Sequence, residues 1–436
     1  MRKRLIVFGI IVLILGMSLP VYSGGIINKQ NQSAEYVRSL TRNAATDSAD
    51  AVAFNPAGVM RMQNGLYVKA DVVYLDKEYS NDVPGFGNME SDEPSLVPGI
   101  FALYKQEKWA AFFAVTVPGG GGEVKYDDGN ARTVALSLGT LVGVNAYMLD
   151  NFSMPNYLIG INSQYIEAES VYMGYTLGGA FKVNDWFSVA GGVRYVDGYQ
   201  EFKGHAILNI NPEYGGGANR YDVDLKRTAD GWNYFLGFNV APNDRLNIGF
   251  LYMSNTRLSF ESDVDKDTVP NGATVALGWE DGTHEREDLP GYLALGVSYF
   301  IIPNKLRTEV DLTYYLENDA TFDAERFDGA GNSYDLAVSL EYIFNPQWKV
   351  SVGYMYTNIR GMSPDDVLTE APELDANSVA LGCVWSPLDR LSFTLGGIRA
   401  WYDSETKEVT NGRGPAGTEL DKDVWGLSFG LQYRFL

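Results

Sequence analysis

Tyr334-Asp335-Leu336-Ala337-Val338-Ser339-Leu340-Glu341-Tyr342-Ile343-Phe344 alternates without a break. Its even positions are apolar or aromatic, and its odd positions include Asp335, Ser339 and Glu341. A period of two describes a strand with one apolar face and one polar face. Asn345-Pro346-Gln347 follows, and the pattern then returns: Trp348, Val350, Val352, Tyr354 and Tyr356 share one face, against Lys349, Ser351 and Gly353 on the other. Upstream, Arg307, Glu309 and Asp311 oppose Val310, Leu312 and Tyr314. The final segment sets Trp425, Leu427, Phe429, Leu431, Tyr433 and Phe435 against Gly426, Ser428, Gly430, Gln432 and Arg434.

A soluble sandwich also alternates. Two features favour a membrane barrel. The apolar faces carry aromatics at their ends, as an interfacial girdle does. The connections alternate in length: six short links, at 106–108, 183–185, 242–244, 303–304, 345–347 and 386–389, separate long ones near 81–94, 118–165, 203–228, 262–288, 318–332, 361–373 and 404–422. Joining them takes fourteen strands, each suited to a tilted crossing of about 9–11 residues. The fold class predicted is therefore all-β: a membrane β-barrel of 14 antiparallel strands, residues 65–436, in a Gram-negative outer membrane.

At the other end, Arg2-Lys3-Arg4 precedes an apolar run from Leu5 to Leu15, with Pro20 and Ser23 beyond it. That is the layout of a secretory signal peptide, 1–23. The run is short for a spanning helix, and no later segment is apolar enough over 18 residues to be one. The chain carries −21, so the mature form is near −24, which argues against nucleic acid. A single cysteine, Cys383, excludes a disulfide framework.

Fourteen strands enclose a wide lumen, because larger barrels leave channels that side chains alone do not fill. Residues 24–64 precede the first strand, show no alternation and are of plugging size. They are read as an N-terminal hatch. The hatch ends at Asn55-Pro56-Ala57-Gly58, where Pro56 fixes its own φ and disfavours helix at Asn55, and Ala57-Gly58 permits close backbone approach. Inward charges, Arg307, Glu309, Asp311, Glu341, Lys349 and Arg434, would hold it. The bland reading of those charges is the wet wall of a porin.

With these residues in hand, the mature chain resembles the FadL-type family of outer-membrane transporters for long-chain fatty acids and aromatic hydrocarbons. The resemblance rests on Asn55-Pro56-Ala57-Gly58, the fourteen strands, and the phrases Leu289-Pro290-Gly291-Tyr292 to Tyr299, Trp232 to Gly249 and Ala180 to Trp186. It implies a hatch in the lumen, a pocket for an apolar ligand, and a kinked third strand that opens sideways. The chain departs from the family in lacking a glycine-rich run over Ser33 to Asp50 and in ending Phe435-Leu436.

Catalysis finds little support: His205 and His284 fall in predicted loops with no serine elbow. Asp263 to Asp267 begins like a calcium loop, but Thr268 stands where glycine is needed and Thr274 where glutamate closes it. No metal and no cofactor are expected. Cys383 shares a face with Leu381 and Trp385, toward lipid. In the longest link, Val134, Leu136 and Leu138 alternate, after which Leu141, Val142 and Met148 follow helical spacing. This is read either as a hairpin or self-packed loop, or as a surface that captures hydrophobic solutes. Trp109 to Val117 runs into Pro118-Gly119-Gly120-Gly121-Gly122, which either begins the loop or kinks the third strand for lateral exit. Expected partners are a hydrophobic small molecule, outer-membrane lipid and lipopolysaccharide, with the barrel a monomer. A diffusion porin for polar solutes, or a structural or adhesive barrel, are the alternatives.

Overall fold

In the computed structural model the described residues are 33–435, less 270–271, 275–277, 324–330, 361–369 and 413. The predicted signal peptide and hatch residues 24–32 lie outside them, as does Leu436.

The wall runs β1 Gly65–Val83, β2 Ser95–Lys105, β3 Trp109–Tyr126, β4 Leu158–Lys182, β5 Phe187–Ile210, β6 Ala218–Val240 and β7 Leu246–Met253. It continues through β8 Tyr292–Ile302, β9 Leu306–Tyr315, β10 Tyr334–Asn345, β11 Trp348–Asn358, β12 Ala376–Leu388, β13 Leu391–Tyr402 and β14 Glu419–Phe435. Each pairs antiparallel with the next, and β14 closes on β1 from Leu66 opposite Phe435 to Asp82 opposite Glu419. The result is a closed antiparallel barrel of 14 strands. Closure removes the edges that an open sheet would leave unpaired in hydrocarbon. Shorter strands, Gly87–Ser91, Ser259–Asp267, His284–Arg286 and Glu405–Thr406, extend the outer rim.

Alternation sets the faces. Leu336, Val338, Leu340, Tyr342 and Phe344 of β10 stand exposed on the outer surface, while Asp335, Ser339 and Glu341 are buried within. At the short-turn end the outward aromatics meet in pairs across strands, Tyr104 with Trp109 at 5.6 Å and Trp348 with Trp385 at 5.8 Å. Such girdles hold a barrel at the depth where ring bodies contact lipid and polar tips reach water.

Five of the six short turns stand where expected, and the sixth shifts from 386–389 to Asp389-Arg390 because β12 runs through Leu388, but the outer links differ from their predicted extents. β4 has 25 residues and β5 has 24, more than twice a membrane crossing. Much of 118–165 and 203–228 is therefore ladder, not loop. Their alternation is diluted by glycines and charges because both faces of these extensions meet water or protein, so no continuous apolar face marks them. His205 accordingly lies in β5 and His284 in a short strand. Asp263 to Asp267 also lies in a strand: Asp265 pairs with Lys226 at 3.1 Å, and Asp267 accepts from the Thr274 hydroxyl at 2.8 Å.

Candidate functional site

Residues 33–64 fold inside the ring. They form α1 Ala34–Val37, α2 Ala51–Phe54 and a 3-10 turn Gly58–Arg61. Both helices are single turns, too short to persist alone in water, so their order comes from the wall. Ser33 caps α1 by accepting from the Tyr36 amide, and its hydroxyl donates to Asp50 Oδ2 at 2.8 Å.

The inward charges grip this segment. Asp311 Oδ2 accepts from the backbone amides of Arg42 (2.7 Å) and Asn43 (2.8 Å), and Glu309 Oε1 from that of Ala44 (3.0 Å). Arg38 pairs with Glu35 at 2.6 Å and with Glu341 at 2.8 Å. Lys349 reaches Asp47 at 2.7 Å, Arg307 stands 3.7 Å from it, and Arg434 donates to Gln63. Burial pushes the Asp47 carboxyl up, but Lys349, Arg42 and Arg307 outweigh it and hold it well below the usual carboxylate range. Charges withdrawn from water persist only when paired in this way. Two wall glycines make room for the backbone: a Cβ on Gly353 would strike Ser39 O, and one on Gly249 would strike Asn43 O.

Asn55-Pro56-Ala57-Gly58 is the most closely fitted stretch. Asn55 is fully buried. Its Nδ2 donates to Ala45 O at 3.0 Å and to Asn239 Oδ1 at 2.7 Å, tying two parts of the segment to β6. Its Oδ1 accepts from the Gly58 amide at 3.3 Å. Ser188 of β5 donates to Ala57 O at 2.7 Å, and Pro56 lies over Gly237 of β6. The wall partners Asn239 and Ser188 escaped the sequence reading, since a lone inward Asn or Ser carries no local signal.

Pro118 to Gly122 lies inside β3, not at the start of a loop. The β3–β4 register jumps between Thr116 and Gly119 and again between Gly119 and Gly122, two successive bulges. Gly120 has φ +99° and Gly122 has φ +74°, left-handed values that side chains resist. On the other edge, β3 pairs with β2 only from Ala110 to Val115. Beyond Val115 the β2–β3 ladder stops, while Val117 stays buried in one apolar cluster with Val97 of β2.

The apolar stretch in the longest link is a helix, α3 Ala131–Phe152, which replaces the strand-like start read from Val134, Leu136 and Leu138. Asn130 and Thr133 cap it reciprocally, and this capping box, with no proline before Pro155, decides the matter locally. Of the six residues singled out for capture, Leu136 alone lines a cavity of about 490 Å³ between α3 and the outer halves of β4, β5 and β6. Val134 is buried against Tyr79 and Tyr126, and Leu141 and Met148 rest against Val144, Leu158 and Leu208. Leu138 and Val142 are exposed. Small residues, Ala135, Gly139 and Gly143, make the helix side of the cavity, and Phe202, Leu225 and Trp279 line the far side. Their i, i+4 spacing was the readable signal. His205 also lines it. Beneath lie Tyr172, Val196, Leu258, Phe260 and Leu289, one buried apolar cluster. The cavity lies outward of the bulges: Ile166 pairs with Tyr126 and Tyr172 with Gly119, which is about 20 Å along β4 at about 3.3 Å per residue.

Fold and interior together define a class: an outer-membrane barrel whose lumen is occupied by its own N-terminal segment. Residues 15–435 match the family model described as outer membrane protein transport protein (OMPP1/FadL/TodX), and the chain belongs to that family. Among solved structures, it is similar to a Pseudomonas aeruginosa FadL homologue (17% identity, 94% of this chain and 100% of that one, TM-score 0.66). It is also similar to the Pseudomonas putida toluene transporter TodX (11% identity, 94% and 100%, TM-score 0.64). A third is the Ralstonia pickettii toluene transporter TbuX (12% identity, 92% and 98%, TM-score 0.60). At these identities the likeness establishes the fold. No curated protein is a significant match to the sequence.

Proposed function

We propose that this chain carries hydrophobic compounds, long-chain fatty acids or hydrocarbons, passively across the outer membrane. Solute enters the cavity beneath α3, passes the apolar cluster around Tyr172 and Phe260, and leaves through the wall at Pro118–Gly122 into the bilayer. Residues 24–64 act as the hatch that denies water the same path. The family's transport role supports this reading, and the toluene transporters among the similar structures are consistent with it. The observation that carries it is the placement of an apolar cavity outward of the point where the β2–β3 ladder stops. A solute moving this way never crosses water as a free monomer.

The cavity supplies the test. A Cβ at Gly139 or Gly143 meets open space, so leucine fits at both without disturbing the helix. If the two side chains displace about three ligand methylenes, at about 0.8 kcal/mol each, binding weakens by about 2.4 kcal/mol, roughly fiftyfold. Gly139→Leu with Gly143→Leu should therefore lose binding of a fluorescent fatty acid and uptake of a labelled one, while the barrel keeps its heat-modifiable migration. Unchanged binding in a folded variant would exclude the cavity as the capture site.

A further inference from the structure

The cavity beneath α3 is bordered by cations, but each of them is already neutralised among the described residues. Arg132 lines it from α3 and pairs with Glu370 at 2.8 Å, both side chains being buried. Lys203 lines it from β5 and pairs with Glu201 at 2.8 Å. Arg227 stands 4.5 Å from the centre of the Trp279 ring, and it pairs with Glu285 at 2.6 Å and Glu287 at 3.5 Å. Three cations therefore meet four carboxylates. A ligand carboxylate entering here would lose its water and find no cation without an acid of its own. An ion withdrawn from water on those terms is strongly disfavoured.

Most hydrogen-bond donors of the lining are also engaged within the protein. Thr133 donates to Asn130 O at 2.9 Å, Thr140 to Leu136 O at 2.8 Å and Tyr165 to Glu167 Oε2 at 2.5 Å. Trp279 Nε1 donates to Glu285 Oε2 at 2.6 Å, which leaves its ring for a ligand. Ser137 differs. It lines the cavity from α3 and is 2% exposed, yet its hydroxyl makes no hydrogen bond among the described residues. Buried hydroxyls are ordinarily paired, because one left without a partner carries its full desolvation cost.

We infer that the cavity binds its solute in uncharged form, with the tail against Phe202, Leu225 and Trp279 and one neutral oxygen at the Ser137 hydroxyl. That oxygen belongs to an alcohol, an ester or a protonated carboxylic acid. The inference rests on the reading of this cavity as the capture site and narrows what the site accepts. A fatty acid enters it as the neutral acid and not as the carboxylate.

The test uses the full chain in amphipol at pH 8, where a carboxylic acid is ionised and an imidazole is not. Decanol, methyl decanoate, decanoate and decane are each titrated against the neutral fluorescent probe N-phenylnaphthylamine. The variant with Gly139→Leu and Gly143→Leu marks the displacement that belongs to the cavity. Decanol and methyl decanoate should bind more than about a hundredfold tighter than decanoate. Ser137→Ala, which suits a helix, should weaken decanol by about two- to tenfold and leave decane unchanged. Glu370→Gln, which frees Arg132, should strengthen decanoate at least about tenfold in a barrel that keeps its heat-modifiable migration. Decanoate binding as tightly as decanol, at a site that the double glycine variant blocks, would overturn this inference and leave the capture site standing. So would a decanol affinity that Ser137→Ala does not change. Displacement that the double glycine variant leaves intact for all four compounds would refute the capture site itself, and this inference with it.

Discussion

Asn55→Ala tests how the interior segment is held. The substitution removes three hydrogen bonds, but their losses differ. Asn239 Oδ1 still accepts from Asn247 Nδ2 at 3.0 Å, and the Gly58 amide still reaches Asn55 O at 2.9 Å. Ala45 O alone loses a buried donor. One unsatisfied buried carbonyl costs about 1–3 kcal/mol, rather than three times that. The opening of the segment should thus become about 5- to 150-fold more populated, while the wall, which Asn55 does not build, keeps its stability. Hydrogen exchange over residues 44–60 reads the first effect, and thermal migration of the barrel reads the second. Asn55→Asp should be worse than alanine, because a carboxylate would then face two acceptors, Ala45 O and Asn239 Oδ1. Exchange rates unchanged in both variants would refute the reasoning and leave the motif a simple turn.

Deleting residues 24–64 should convert small, rare conductance in planar bilayers into a large, steady one; a large conductance in the intact chain would favour the porin reading. Replacing Gly120 and Gly121 with valine should leave a heat-resistant barrel yet depress fatty-acid uptake, since Gly120 has φ +99° and its added Cβ would meet Ser170 O; normal uptake would rule out a transport role for the kink. Asp47 is held well below the usual carboxylate range, so its contribution to docking is complete above the ordinary carboxylate pKa and is lost only as pH falls through the depressed value. The conductance difference between the intact chain and Asp47→Asn should accordingly stay constant from neutral to mildly acidic pH and shrink only in strong acid; a change near pH 6 would contradict the assignment. Removal of the signal peptide near Ser23 should show in the intact mass of outer-membrane protein.

Local chemistry determined much of this protein. Strand faces, the count of crossings, the short turns and the inward charges follow from a period of two, because one wall face meets lipid and the other the lumen. Asn55-Pro56-Ala57-Gly58 announced a turn for the same local reason. What the motif touches did not follow: Asn239, Ser188 and Gly237 lie well over a hundred positions away, and only closure of β5 and β6 around the segment brings them to it. The glycine run was equally ambiguous, since Pro118 to Gly122 suits a loop or a bulged strand, and pairing with β4 decided for the strand. Leu136 and Leu138 looked alike as residues, yet one lines the cavity and the other faces solvent. Phe202 and Leu225 from distant strands, and Trp279 from a link between strands, complete that cavity. A local pattern fixes the direction of a side chain within its element, whereas a site needs several elements to converge, and that convergence belongs to the closed sheet.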